Sequence, residues 1–103
     1  MFFKKSNSEC SPEDVKKAQQ NPGAVIIDCR TPSEVAGGMV EGAEVLDWLG
    51  GGFKAKVPAL DKSKTYYLYC RSGGRSGQAA SFMRDQGFEN VFNAGGYGGL
   101  KGL

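Results

Sequence analysis

The chain has 103 residues, of which 40% are hydrophobic and 23% charged, so its composition is that of a folded domain rather than a disordered, collagenous or membrane-spanning chain. A formal net charge of +2 without long Lys/Arg runs indicates no nucleic-acid partner. Residues 1–50 contain five basic and eight acidic side chains, whereas residues 51–103 contain eight basic and three acidic ones. We therefore expect any anion-binding site in the second half.

Three cysteines, Cys10, Cys29 and Cys70, and a complete lack of histidine limit the available chemistry. This odd, sparse set favours reduced thiols over a disulfide framework. Without histidine or a C-x-x-C pair, the usual zinc sites and Cys-His catalysis are excluded. Met1–Lys5 lacks a signal-peptide core and no apolar run could span a bilayer. We expect a cytoplasmic protein with no membrane contact, or a periplasmic one if Met1 replaced a removed leader.

The first part of the chain predicts a helix, a strand and a second helix. The Ser-Pro-Glu-Asp sequence from Ser11 is typical of a capped helix start and predicts a helix over 12–20. Ala24–Asp28 is a short β-branched run, as expected of a parallel strand covered on both faces. Thr-Pro-Ser-Glu from Thr31 repeats the helix-start pattern and predicts a short helix over 32–36.

The remaining chain continues this alternation of strands and helices. It predicts a short strand near Glu44–Leu46, a weak helix over Phe53–Leu60, a strand over Thr65–Tyr69, a helix over Ser76–Gln86 and a strand over Val91–Asn93. We therefore expect one α/β domain over residues 1–103. It would be a small, doubly wound, mainly parallel sheet of about four to five strands with helices on both faces, binding ligands at the carboxyl ends of the strands.

One loop joins the two most strongly predicted elements, the strand over Thr65–Tyr69 and the helix over Ser76–Gln86. It follows the carboxyl end of that strand, where a ligand is expected. It consists of Cys70, Arg71, Ser72, Gly73, Gly74, Arg75 and Ser76. A helix N-terminus and nearby cations lower a thiol pKa from about 8.5 to roughly 3.5–7.5, and glycines let consecutive amides converge on one anion. The loop thus predicts a thiolate nucleophile at Cys70, with Ser76 capping the helix. The ordinary alternative is a glycine turn with a buried cysteine and two solvated arginines.

Four segments match one known family: Val25–Glu34, Gly38–Ala43, Tyr69–Ser76 and Gly95–Tyr97. Through them the chain resembles the rhodanese (sulfurtransferase) homology domain in its stand-alone form. The third segment is the most specific of the four. Met39 stands where the second motif usually has His, and Asp47–Gly52 is atypical in a region that forms one wall of the substrate mouth.

The resemblance implies a sulfurtransferase with a ping-pong cycle that needs no cofactor and no metal. The Cys70 thiolate would attack the outer sulfur of a donor such as thiosulfate, sulfite would leave, and the persulfide would give its sulfur to cyanide or a thiol. Amides of residues 71–76 would stabilise the sulfur, while Arg71 and Arg75 would hold the small anionic donor. A sulfur-relay protein is a further candidate partner, and we expect a monomer.

Loop length separates this chemistry from related ones. Related phosphatases and arsenate reductases use Cys-x5-Arg, whereas four residues separate Cys70 from Arg75. A tighter cradle favours one extra sulfur over a tetrahedral oxyanion. Two alternatives stay open: a non-enzymatic persulfide carrier or interaction module, and a less favoured phosphatase or arsenate reductase.

Asp28 and Arg30 end the neighbouring strand and are candidates to support the site. They could brace the active loop by charged hydrogen bonds, whereas an Arg30 to Glu34 pair would be the ordinary structural interpretation. Cys29 is expected to be a buried strand residue, and Cys10 a residue before a helix cap.

Overall fold

A computed structural model describes residues 9–103, so the expectation for Met1–Lys5 lies outside the described residues. The elements within this range are α1 (Pro12–Ala18), β1 (Ala24–Asp28), α2 (Pro32–Val35), β2 (Glu44–Val45), α3 (Gly52–Lys56), β3 (Thr65–Cys70), α4 (Gly74–Asp85) and β4 (Val91–Gly96). Short 3-10 turns follow α3 at Val57–Ala59 and β4 at Tyr97–Gly99. No helix in this range is long and apolar enough to cross a membrane.

The four strands form one parallel sheet in the order β2-β1-β3-β4. Each strand after the first is reached through a helical connection, as parallel pairing requires. The order places β1 and β3 in the centre, and the carboxyl ends of all four strands lie at one edge. The predicted α/β fold with a parallel sheet is therefore confirmed.

Helices cover both faces of the sheet, which explains why its central strands read as continuous apolar runs. On one face, Ile27 and Leu68 pack with Phe53 of α3 and Met83 of α4. On the other face, the strands pack against Val15 of α1 and the C-terminal turn. The edge formed by the carboxyl ends of the strands therefore lies above a core that is packed on both faces of the sheet.

Both predicted helix starts form as the sequence indicates. Ser11 accepts a hydrogen bond from the Asp14 amide, and the Asp14 side chain accepts one from the Ser11 amide. Thr31 and Glu34 make the same reciprocal pair at the start of α2. These local hydrogen bonds satisfy amides that a helix leaves free, so a short sequence pattern suffices to define them.

Helix α4 begins earlier than predicted, and Ser76 is not its cap. Gly73 occupies the N-cap with φ +100°, a left-handed conformation that glycine adopts without strain, and Gly74 is already helical. Ser76 instead lies within the first turn and is buried. The correction matters because it leaves the Ser76 hydroxyl available for other contacts.

Candidate active site

Cys70 is the last residue of β3, and its side chain faces the first turn of α4. It is fully buried at 0% exposure. The Gly73 amide donates a hydrogen bond to Sγ at 3.0 Å, and the Ser76 amide donates a second at 3.4 Å. The Ser76 hydroxyl lies 3.5 Å from the same sulfur. The sequence-predicted anion cradle is therefore present around the thiol of Cys70.

These contacts determine the ionisation of Cys70. Burial raises the pKa of the thiol, but hydrogen bonds from Ser76 and from the amides of Ser72 and Gly73 outweigh that effect. The net result is a pKa below the ordinary value of a cysteine. Because the helix N-terminus also favours negative charge, the cradle makes the thiolate a larger fraction at neutral pH than in a free cysteine.

The loop is held from behind by the end of β4. A Cβ on Gly96 would lie 2.5 Å from the carbonyl oxygen of Arg71 and 3.1 Å from Cα of Ser72. Only glycine allows β4 to approach the loop this closely. The Gly-Gly pair near the C-terminus, which is distant in sequence, therefore belongs to the wall of the cradle.

The side chain of Arg75 is not free to hold a donor, which corrects the expectation from the family resemblance. Its guanidinium donates two hydrogen bonds to the Glu34 carboxylate, at 2.8 and 2.9 Å. The hydrogen bonds from Arg75 lower the pKa of Glu34 to about 2. The alternative ion pair between Arg30 and Glu34 does not form, because the Glu34 carboxylate binds Arg75 and Arg30 reaches only the Glu34 carbonyl oxygen, at 3.4 Å.

Arg71 has the opposite environment. Its side chain is exposed, and within residues 9–103 it forms neither an ion pair nor a side-chain hydrogen bond. A guanidinium in this state keeps all five donors available to an anion. Of the two loop arginines, Arg71 is the one whose charge is free for a ligand.

Asp28 and Arg30 form a buried network beside the loop rather than within it. Arg30 donates to both oxygens of Asp28, at 2.8 to 3.2 Å, and to the Gly38 carbonyl at 2.7 Å. Its guanidinium lies over the ring of Tyr97, 4.3 Å from the centroid, and the Tyr69 hydroxyl donates to Asp28 at 2.7 Å. The expectation of charged hydrogen bonds to residues 71–76 is therefore corrected, and the network reaches the site through Tyr69, the neighbour of Cys70.

The other two cysteines lack the activating contacts. Cys29 is fully buried beside β3, where its amide donates to the Tyr69 carbonyl at 2.8 Å. Burial, followed by the charge of the nearby Cys70, raises the pKa of Cys29 well above its ordinary value. Burial also raises the pKa of Cys10, to about 12. Both side chains remain neutral thiols at neutral pH.

The atypical segment Asp47–Gly52 follows β2 and packs against α4, where Trp48 contacts the ring of Phe82. The Trp48 indole donates a hydrogen bond to Gln78 of α4 at 3.1 Å, which ties this segment to the helix that carries the cradle. The next residue, Leu49, is 67% exposed. The segment that departs from the family pattern is therefore attached to α4.

Two residues of the site, Glu34 and Asn93, were not predicted from the sequence to be site residues. Glu34 was identified through the helix start, but its pairing with Arg75 spans 41 residues. Asn93 on β4 accepts a hydrogen bond from the Ser76 hydroxyl at 2.7 Å and donates one to the Gly73 carbonyl at 3.1 Å. The only sequence signal for Asn93 was its position at the carboxyl end of a predicted strand.

Comparison with known proteins identifies the family. A model described as Rhodanese-like domain matches residues 11–102. A thiosulfate sulfurtransferase GlpE of Stutzerimonas stutzeri is 32% identical over 82% of this chain and 76% of that protein. A tRNA sulfurtransferase of Shewanella woodyi is 44% identical over 69% of this chain, which spans only 15% of that protein. The structure of a rhodanese with anions from E. coli superposes with a TM-score of 0.68 at 31% identity, covering 76% of this chain and 92% of that one. The chain therefore belongs to the rhodanese-like domain family.

Proposed function

We propose that the chain is a sulfurtransferase that moves a sulfane sulfur from a small anionic donor, thiosulfate or a persulfide, to a thiol or cyanide through a persulfide on Cys70. The convergence of the Gly73 and Ser76 amides on the Cys70 sulfur carries this proposal. Membership of the family and the sulfurtransferase names of its relatives support it.

In the first half-reaction the Cys70 thiolate attacks the outer sulfur of thiosulfate. A bond forms between Sγ and that sulfur, the sulfur–sulfur bond of the donor breaks, and sulfite leaves with the electron pair. Sγ becomes neutral, sulfite carries two negative charges, and the outer sulfur of the new persulfide keeps the negative charge that it had in thiosulfate. The amides of residues 71–76 stabilise that charge.

In the second half-reaction the acceptor thiolate or cyanide attacks the outer sulfur. The bond to Sγ breaks and Cys70 leaves as a thiolate, which again accepts hydrogen bonds from Gly73 and Ser76. A leaving thiol of lowered pKa leaves faster, so the same contacts serve both half-reactions.

The two arginines of the loop have different roles in this proposal. Arg71, exposed and unpaired within the described residues, attracts and orients the anionic donor. Arg75 is a positioning residue, because its two hydrogen bonds to Glu34 anchor the first turn of α4 to α2. This division follows from which guanidinium is already occupied.

The sulfur source in a cell need not be free thiosulfate. The chain is similar to a part of a larger tRNA sulfurtransferase, which supports a relay protein as donor or acceptor. With a relay protein as donor or acceptor, Cys70 forms the same persulfide, and only the molecule that reacts with Cys70 differs.

Thiocyanate formation from thiosulfate and cyanide tests the proposed reaction. We expect turnover by the wild-type chain and none by Cys70→Ala, with Cys10→Ser as the matched cysteine control. Turnover that survives in Cys70→Ala would contradict the proposed nucleophile. A wild-type chain that takes no sulfur from thiosulfate but is persulfidated on Cys70 by a sulfur-relay protein would be a carrier.

A further inference from the structure

The side-chain amide of Asn93 has one possible orientation. Its nitrogen lies 3.1 Å from the carbonyl oxygen of Gly73, which can only accept, and its oxygen lies 3.0 Å from the amide of Gly95, which can only donate. The same oxygen lies 2.7 Å from the Ser76 hydroxyl. Asn93 therefore presents an acceptor to Ser76, and Ser76 is the donor in that contact.

Ser76 has one hydroxyl proton and three neighbours that could accept it. The Asn93 oxygen is nearest at 2.7 Å, followed by the Gly73 carbonyl at 3.3 Å and the Cys70 sulfur at 3.5 Å. A short contact between two oxygens is a stronger hydrogen bond than a long one to an uncharged sulfur. While the sulfur is uncharged, the proton belongs to Asn93, and an oxygen lone pair of Ser76 faces Cys70.

We propose that Asn93 is a positioning residue that holds the Ser76 proton away from Cys70 until the sulfur is charged. The inference rests on the proposed sulfur transfer and deepens it. In the persulfide the charge lies on the outer sulfur, so the proton stays with Asn93. When Sγ becomes a thiolate, a charged acceptor competes for the proton and the hydroxyl turns toward it.

Asn93 thus limits how strongly the cradle stabilises the thiolate. Each ionisation of Cys70 must break the bond between Ser76 and Asn93, which costs part of what the new bond to sulfur contributes. This restraint has a kinetic value, because the nucleophilicity of a thiolate falls as its pKa falls.

The charged and titratable groups near Cys70 take no part in the hydrogen bond between Ser76 and Asn93. They are Cys29 directly after β1, Arg71 in the loop, Arg75 on α4 with its partner Glu34 on α2, and Asp47 near Arg75. None of them is a hydrogen-bond partner of Asn93 within the described residues. Substitution of Asn93 therefore leaves these charges in place.

A double-mutant cycle on the alkylation of Cys70 tests the proposal. The pH midpoint for reaction with iodoacetamide is measured in the wild type, Asn93→Ala, Ser76→Ala and the double variant, with peptide mass identifying Cys70. We measure the shift in midpoint that Asn93→Ala causes, once with Ser76 present and once in the Ser76→Ala background. With Ser76 present, the shift should lie about half a pH unit further toward low pH. The Ser76→Ala background reports the separate effect of losing the tie to Gly73.

An equal shift from Asn93→Ala in both backgrounds, or a coupling of opposite sign, would overturn the proposal. Asn93→Leu, which keeps the branched shape without an acceptor, provides the same comparison if Asn93→Ala does not fold. Alkylation needs no sulfur transfer, so this result stands apart from the thiocyanate assay. A chain that forms no thiocyanate but shows the coupling would contradict the function and not the role of Asn93.

Discussion

The guanidinium of Arg75 and the carboxylate of Glu34 meet through two parallel hydrogen bonds, at 2.8 and 2.9 Å, although 41 residues separate them. Their side chains are 20% and 24% exposed, so water only partly screens the pair. The bidentate geometry fixes the direction of Arg75 as well as its distance. An arginine expected to hold substrate therefore holds the cradle in place instead.

The first prediction concerns how much the pair of Arg75 and Glu34 stabilises the fold as the pH falls. The pKa of Glu34, about 2 in the folded chain, lies below the ordinary unfolded value of about 4.3. A lowered carboxyl pKa contributes stability that is full above the unfolded value and is lost as pH falls toward the folded one. The free-energy difference between wild type and Glu34→Gln should be constant above pH about 5 and shrink as pH falls toward 2. Urea unfolding at a series of pH values measures it.

Glu44→Gln is the matched control for that experiment. Glu44 pairs with Lys56 at 3.9 Å, and both side chains are exposed. Such a pair contributes little, so its removal should leave the acid profile unchanged. A difference between wild type and Glu34→Gln that does not vary from pH 5 to pH 2 would show that the pair lacks the assigned strength.

The second prediction concerns the close approach of β4 to the loop. In Gly96→Ala the new Cβ would meet the Arg71 carbonyl at 2.5 Å, so the backbone must shift. We expect a loss of about 1–3 kcal/mol in unfolding free energy and at least tenfold in thiocyanate formation. Gly98→Ala is the control, because a Cβ there meets nothing within 4 Å. Equal activity in the two variants would remove Gly96 from the wall of the site.

Local and distant contributions to the site differ in how far the sequence reveals them. The starts of α1 and α2 were predicted because Ser11 and Thr31 bond to residues three positions ahead. The anion cradle was predicted because its donors lie within seven residues. The pairing of Arg75 with Glu34, 41 residues away, depends on how α2 packs against α4, which no local pattern encodes. Asn93 was missed for the same reason.

The third prediction separates the roles of the two arginines. Arg71→Ala should raise the KM for thiosulfate several-fold, because it removes the free guanidinium at the mouth, and should leave the KM for cyanide less affected. The effect should diminish as salt screens the exposed charge. Lys17→Ala is the control, since Lys17 lies on α1 across the sheet from Cys70. Equal effects of the two variants would contradict a specific contact between donor and Arg71.

The fourth prediction concerns specificity and rests on loop length. Four residues lie between Cys70 and Arg75, and we expect this short loop not to surround a tetrahedral oxyanion. Hydrolysis of an aryl phosphate and reduction of arsenate should be negligible beside sulfur transfer. One residue inserted between Ser72 and Gly73 should enlarge the ring of amides and strengthen oxyanion binding. Phosphatase turnover by the unmodified chain that disappears in Cys70→Ser would favour the phosphatase alternative.

The intact mass of the chain after treatment with thiosulfate tests the central claim most directly. We expect the mass to increase by one sulfur atom in the wild type and in a Cys10→Ser, Cys29→Ala double variant, since neither of those thiols is activated. The Cys70→Ala variant should gain nothing. An added sulfur on Cys70→Ala, or its loss in the double variant while the fold is retained, would contradict a persulfide carried by Cys70 alone.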